Sequence, residues 1–299
     1  PLLVRSCYYN KRNQAERLIE LGANVDIQLT NGDTPLIVAA EKDFAAIAVM
    51  LLNKGASMEL PGSNGYTALL TAAERGFVAF VECLIQHGVN LDYQKDNGAT
   101  ALLKAASKGH DRVVIKLIEG GANVELAKQT GATPLLMAAQ AGHERVVAAL
   151  LDNKANVDVT GKGGATPVYA AAKGGFAGVV KRLLDAGADA FAPVATGKSA
   201  RDRALEEGHS HVVSIIDAHR PSGGGRDGCG AAGSASGAPS AALDALVREI
   251  KLGGDDAAAV TRAYQKGVSP DALGGSERWP LLFRTCYYNR CNQAKRLIE

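Results

Sequence analysis

Several places in this chain of 299 residues gather groups that could do chemistry. Gly223, Gly225 and Gly228 have the spacing of a dinucleotide-binding turn, which works by letting the backbone approach a pyrophosphate between a strand and a helix. Here the glycines stand in a run of glycine, serine and alanine, without the strand, the helix or the acidic residue that the mechanism needs. Gly197-Lys198-Ser199 has the form of the end of a phosphate-binding loop, but Ala192 stands where that loop needs its first glycine. His209, His211 and His219 are close in sequence. A spacing of two residues points side chains to different faces of a helix, and no cysteine lies nearby at a zinc spacing. The five cysteines, Cys7, Cys83, Cys229, Cys286 and Cys291, form no paired ligand set. They fit small buried or incidental thiols of a reducing compartment. No Ser/His/Asp or Cys/His set emerges from spacing. The expectation is a chain that is not an enzyme, with no cofactor and no metal.

The elements that carry these residues repeat. A glycine, one further residue and a threonine recur every 33 residues, at Gly32 to Thr34, Gly65 to Thr67, Gly98 to Thr100, Gly131 to Thr133 and Gly164 to Thr166, and Gly197 to Ser199 closes the series. A fixed period of this length means a stacked array. In residues 133–154, Thr-Pro-Leu opens a helix, because proline tolerates the first helical position. Gly142 interrupts it, and Val146, Val147, Leu150 and Leu151 then place one apolar stripe on a second helix. Gly22, Gly55, Gly88, Gly121 and Gly187 fall where the second helix ends in a positive-φ residue, and Lys154 alone breaks that rule. About a dozen polar, turn-rich residues then form a hairpin-like excursion. Two such short helices bury too little alone, so neighbouring repeats must cover each other, and the Ala-Ala pairs at 39–40, 72–73, 105–106, 138–139 and 171–172 permit close approach.

On these residues the chain resembles the ankyrin repeat family, whose 33-residue period carries a Thr-Pro-Leu-His-x-Ala signature. The clearest copies are Thr34-Pro35-Leu36, Thr133-Pro134-Leu135 and Thr166-Pro167-Val168, with Gly109-His110 and Gly142-His143 as the inter-helix turn. Ile37, Leu70, Leu103, Leu136 and Tyr169 replace the signature histidine, so apolar contact is expected where that histidine implies cross-repeat hydrogen bonds. The resemblance implies an all-α helix-turn-helix solenoid with projecting β-hairpin loops. It also implies partners that meet the loop tips and the exposed residues of each first helix along one concave face. Those tips hold Asp33, Tyr66, Ala99, Ala132 and Ala165, and the helix positions hold Val38, Thr71, Lys104, Met137 and Ala170. Tyr66 and Met137 are expected anchors, since aromatic and methionine side chains are enriched at interfaces. Lys104 is expected to pair with an acidic partner residue, and Asp33 and Thr71 complete the candidate set.

Residues 280–299 match residues 1–20 at 15 of 20 positions, whereas 34–53 match that segment at three. A whole array therefore reads as duplicated. The expected organisation is an array over 1–220 of about seven helix pairs, beginning inside a repeat without its N-terminal cap and ending in a polar cap at 199–219. A flexible Gly/Ser/Ala/Pro linker at 221–240, spanning about 25 Å by random-coil scaling, leads to the start of a second array at 241–299. Because 241–278 reads as a copy of the missing cap, self-association through the open end of the array is an expected contact.

Net charge is only +2, with both signs interleaved, which gives no broad case for nucleic acid or an anionic membrane. No apolar run approaches the roughly 18 residues of a membrane span. The function expected is therefore a non-catalytic protein-interaction scaffold, cytoplasmic, with tandem arrays suited to multivalent binding. The alternative is a docking or regulatory region of a larger enzyme or channel. If the alanine pairs set the stacking distance, Ala105→Leu lowers stability by about 1 to 3 kcal/mol through overpacking, and an unchanged thermal midpoint would contradict it.

Overall fold

A computed structural model of the chain describes residues 1–219. The linker expected at 221–240, the second array at 241–299 with its copy of the cap, and Cys229, Cys286 and Cys291 lie outside the described residues. The fourteen α-helices described form seven antiparallel pairs: α1 (Leu2–Tyr8) and α2 (Arg12–Glu20), α3 (Pro35–Glu41) and α4 (Ala45–Asn53), α5 (Ala68–Arg75) and α6 (Val78–Gln86), α7 (Ala101–Lys108) and α8 (Asp111–Glu119), α9 (Pro134–Ala141) and α10 (Glu144–Asp152), α11 (Pro167–Lys173) and α12 (Ala177–Asp185), α13 (Ala200–Glu206) and α14 (Ser210–Ala218). None of these helices is long and apolar enough to cross a membrane.

The repeating threonine is the start signal of each first helix. Thr34, Thr67, Thr100, Thr133 and Thr166 are N-caps in extended backbone, and each hydroxyl accepts the amide three residues on, at 3.2 to 3.3 Å. That bond satisfies one of the amides a helix start leaves without an internal partner. Ser199 closes the series with a reciprocal capping box: Asp202 N donates to its hydroxyl at 3.1 Å, and Ser199 N donates to the Asp202 carboxylate at 3.0 Å. The hydrogen bonds from the Ser199 backbone and hydroxyl hold the Asp202 carboxyl below its usual range.

Second helices end as expected, with positive φ at Gly22, Gly55, Gly88, Gly121 and Gly187, and Lys154 adopts φ 63° in the fifth position of the series. Each first helix stacks on its neighbours in the series, α3 on α5, α5 on α7 and α7 on α9, and the second helices stack behind them. The result is one continuous apolar core from Leu3 to Ile216, with Phe80 the largest fully enclosed side chain. In the charged last pair, Arg201 meets Asp217 and Arg203 meets Glu206 and Glu207.

The projecting loops are tighter than paired strands: among the described residues none is in a strand. A tip closes on two backbone bonds, Leu29 N to Asp33 O at 3.0 Å and Gly32 N to Leu29 O at 2.9 Å, and the same pair recurs around Lys95 and Lys128. Successive loops are then linked sideways, because Ser63 N donates to Asn31 O and Gln129 N to Asn97 O. At the loop base a carboxylate of one repeat accepts the amide of the next: Asp26 from Ser57, Glu59 from Asn90, Asp92 from Asn123 and Glu125 from Asn156. Ile37, Leu70, Leu103 and Leu136 fill the signature position with buried apolar side chains. Polar cross-repeat bonds nevertheless survive elsewhere, since the turn histidines supply them. His110 Nε2 donates to Glu74 O at 2.9 Å and His143 Nε2 to Ser107 O at 3.3 Å.

Removing one capping hydroxyl isolates this local signal. Thr100→Ala is expected to cost about 1 to 2 kcal/mol in urea unfolding, with Thr100→Ser recovering most of it; equal losses in the two variants would assign the effect to the methyl group.

Candidate functional site

Once the stack has used its own residues, a cluster of polar and aromatic groups around Tyr66 stands out on the face formed by loop tips and first helices. Tyr66 is carried at a tip, immediately before the Thr67 cap, and reaches over the next repeat. The Lys104 ammonium, on α7, donates to the Tyr66 hydroxyl and, at 3.0 Å, to Glu74 on α5. Two cations flank the ring, Lys95 Nζ at 4.6 Å and Lys104 Nζ at 4.8 Å from its centroid, within cation–π range. The Lys95 stem lies against Gly65, where an added Cβ would stand 3.1 Å from Lys95 Cγ.

Partial burial sharpens the electrostatics. Burial pushes the Glu74 carboxyl up, but hydrogen bonds from Lys104 and Tyr66, with the charges of Lys104 and Lys108, bring it below the usual glutamate range. Burial likewise disfavours the Lys104 ammonium, and the bonds to Tyr66 and Glu74 overcome it and raise its pKa. For Lys128 the balance goes the other way: burial lowers its pKa and the Lys104 charge lowers it further, and the Glu74 charge offsets this only in part.

Of the sequence candidates, Tyr66 and Lys104 are brought into direct contact. Asp33 and Met137, both half-buried, are not part of that cluster: Asp33 is one repeat before Tyr66, and Met137 is one repeat after Lys104. Asp33 accepts a hydrogen bond from Asn31 Nδ2 at 2.5 Å. Thr71 is not an exposed contact. It is 7% exposed, and its hydroxyl donates to Thr67 O at 3.0 Å, so it serves its own helix. Ala99, at 0%, and Val38 are also covered, because at these positions the small tip or the first helix is roofed by the neighbouring repeat. His209 bonds to Lys173 O and His219 to the Asp185 carboxylate, so each ring is tied to the preceding helix pair.

Sequence reasoning missed Glu74, Lys95 and Lys128. The signal for the two lysines was available, since they occupy the same loop position one period apart. It also missed Tyr8 and Tyr9, an edge-to-face pair 5.1 Å apart, with Lys42 Nζ 4.4 Å from the Tyr8 ring. Tyr9 is 59% exposed, and the pair lines a shallow depression with Asp33 and Val38. In a chain with 5% aromatics, two adjacent tyrosines were a legible outlier.

A family model of ankyrin repeats in three copies matches in overlapping placements at residues 3–95, 47–128, 72–161 and 112–194. The chain belongs to the ankyrin repeat family. No curated protein matches the sequence. Among solved structures, the array is similar to the human ASB11 ankyrin repeat domain, with 28% identity, a TM-score of 0.65, and coverage of 73% of this chain and 97% of that one. It is also similar to the ankyrin repeat domain of Bcl-3, a member of the IkappaB family, with 24% identity, a TM-score of 0.65, and coverage of 72% and 97%; this second likeness shows the fold alone. Ankyrin repeats are in general protein–protein interaction modules, and the family is typically non-catalytic.

The Glu74–Lys104 pair makes a pH prediction. A carboxyl held below its unfolded value contributes stability that is present above the unfolded pKa, about 4.3 for glutamate, and is lost as pH falls through the lower folded pKa. In an NMR titration the Glu74 carboxyl is expected to titrate below that value, and in Lys104→Met its midpoint moves up. An unmoved midpoint would mean that Lys104 does not act on it.

Proposed function

We propose that this ankyrin array is a non-catalytic protein-interaction scaffold whose partner lies along the concave face of the stack, with Tyr66 and Met137 as anchors and Lys104 as a charged contact beside them. The observation that carries this reading is the contrast along one face. Val38, Thr71, Ala99 and Ala132 are buried, whereas Tyr66, Lys104 and Met137 remain partly open although they are large. Asp33 lies on the same face beside the Tyr8–Tyr9 depression. Large aromatic and methionine side chains half-exposed at the centre of a surface are what interfaces use as anchors.

The array over 1–220, joined through 221–240 to the second array at 241–299, would give two linked binding surfaces, so that the second contact forms at raised effective concentration. Cys7 and Cys83 are buried free thiols, which suits the cytoplasm, and burial pushes Cys7 up to about 12.

The full chain carrying Tyr66→Ala and Met137→Ala is expected to fold with unchanged circular dichroism and to lose a protein that the unaltered chain captures from a lysate of its source. Capture of the same protein by both would remove the two side chains as anchors.

A further inference from the structure

We infer that the surface around Tyr66 receives an extended acidic segment of a partner protein, its glutamate or aspartate carboxylates held by Lys95, Lys104, Lys108 and Lys128. The inference rests on the reading that partners use the concave face, and it adds the chemistry of what binds there.

Three cations on the second helices are matched across repeats: Lys116 meets Glu82 at 3.2 Å, Arg145 meets Asp111 at 3.6 Å and Arg182 meets Glu144 at 2.8 Å. Around Tyr66 four lysines meet a single such carboxylate, Glu74. Lys104 has Glu74, but among the described residues no carboxylate lies within 4.0 Å of Lys95, Lys108 or Lys128. Glu74 is shared here among several cations, since the charges of Lys104 and Lys108 both act on it and its own charge acts on Lys128, while Lys104 and Lys128 oppose each other. One carboxylate among several lysines leaves positive charge uncompensated, and an incoming carboxylate adds to what Glu74 alone supplies.

Glu74 shows how such a group sits. Its carboxylate takes the Lys104 ammonium at 3.0 Å beside the Tyr66 hydroxyl, and Lys95 Nζ lies over the ring, 4.6 Å from its centroid, within reach of a second carboxylate placed beside it. Lys95 and Lys128 occupy equivalent loop positions one repeat apart, so the pair sets the direction of a strand-like segment running along the stack. A polyphosphate would meet the same cations, but the cluster is short, with one ring at its centre, and the chain as a whole carries only +2.

The test uses the full chain and a short fluorescein-labelled peptide of alternating glutamate and serine, read by anisotropy. The peptide is expected to bind, to weaken as salt rises, and to lose about tenfold or more in affinity in Lys95→Glu/Lys128→Glu. Binding should be unchanged in Lys181→Glu, an exposed position on α12. Circular dichroism confirms that each variant folds. No binding of the glutamate peptide, or equal loss in the Lys181 variant, overturns the inference. So does a single-stranded oligothymidylate that binds more tightly than the peptide with the same dependence on Lys95 and Lys128. If a glutamine–serine peptide binds as well as the acidic one and Tyr66→Ala abolishes both, the acidic preference falls while the concave-face reading stands. If neither Tyr66→Ala nor the lysine reversals alter the glutamate peptide's affinity, both fall.

Discussion

Ten alanines with no exposed surface, from Ala39 and Ala40 to Ala171 and Ala172, set the spacing of this array. A single Cβ at these positions lets α3, α5, α7, α9 and α11 approach closely, and the capping threonines Thr34, Thr67, Thr100 and Thr133 are enclosed as a result. A threonine hydroxyl enclosed in this way has to satisfy an amide, and the helix start supplies one. The second helices need only lay their valine and leucine stripes against the layer so formed. The loops inherit their separation from the same layer, which brings a carboxylate at the base of one loop within reach of the amide of the next.

The fold was legible because each of these demands recurs every 33 residues and therefore stands out above local variation. Capping threonines, terminal glycines and alanine pairs are all single-residue requirements set by backbone geometry, and Lys154 was identifiable as the exception before its positive φ was seen. The loop interior was less legible. A dozen polar residues are compatible with a hairpin, but the tips close after one tight turn, and the sideways bonds between successive loops take the place of a ladder. The acidic column of Asp26, Glu59, Asp92 and Glu125 was present in the sequence at the same period, yet its role depends on a distance between repeats that no single repeat encodes.

The candidate site was half legible for a related reason. Lattice position identifies which residues face a partner only if every repeat presents that position equally. Thr71 and Val38 share their place with Lys104 and Met137, yet they are covered while the longer side chains reach out. Contact between Tyr66 and Lys104 joins residues 38 positions apart, and Glu74 enters because its carboxylate meets Lys104 from the preceding helix pair. Such pairings depend on side-chain reach across the stack and not on period.

The helices of the array pack chiefly on their neighbours in the series, and the whole Tyr66 cluster is carried by one unbroken stretch of chain, from residue 66 to residue 128. Gain or loss of a 33-residue unit outside that stretch slides the cluster along the stack with its internal geometry preserved. Unequal exchange inside it would separate Tyr66 from Lys104 and Lys95 from Lys128. In an array of this kind such a cluster is a movable cassette, whose distance from either end can change while its own spacing stays fixed.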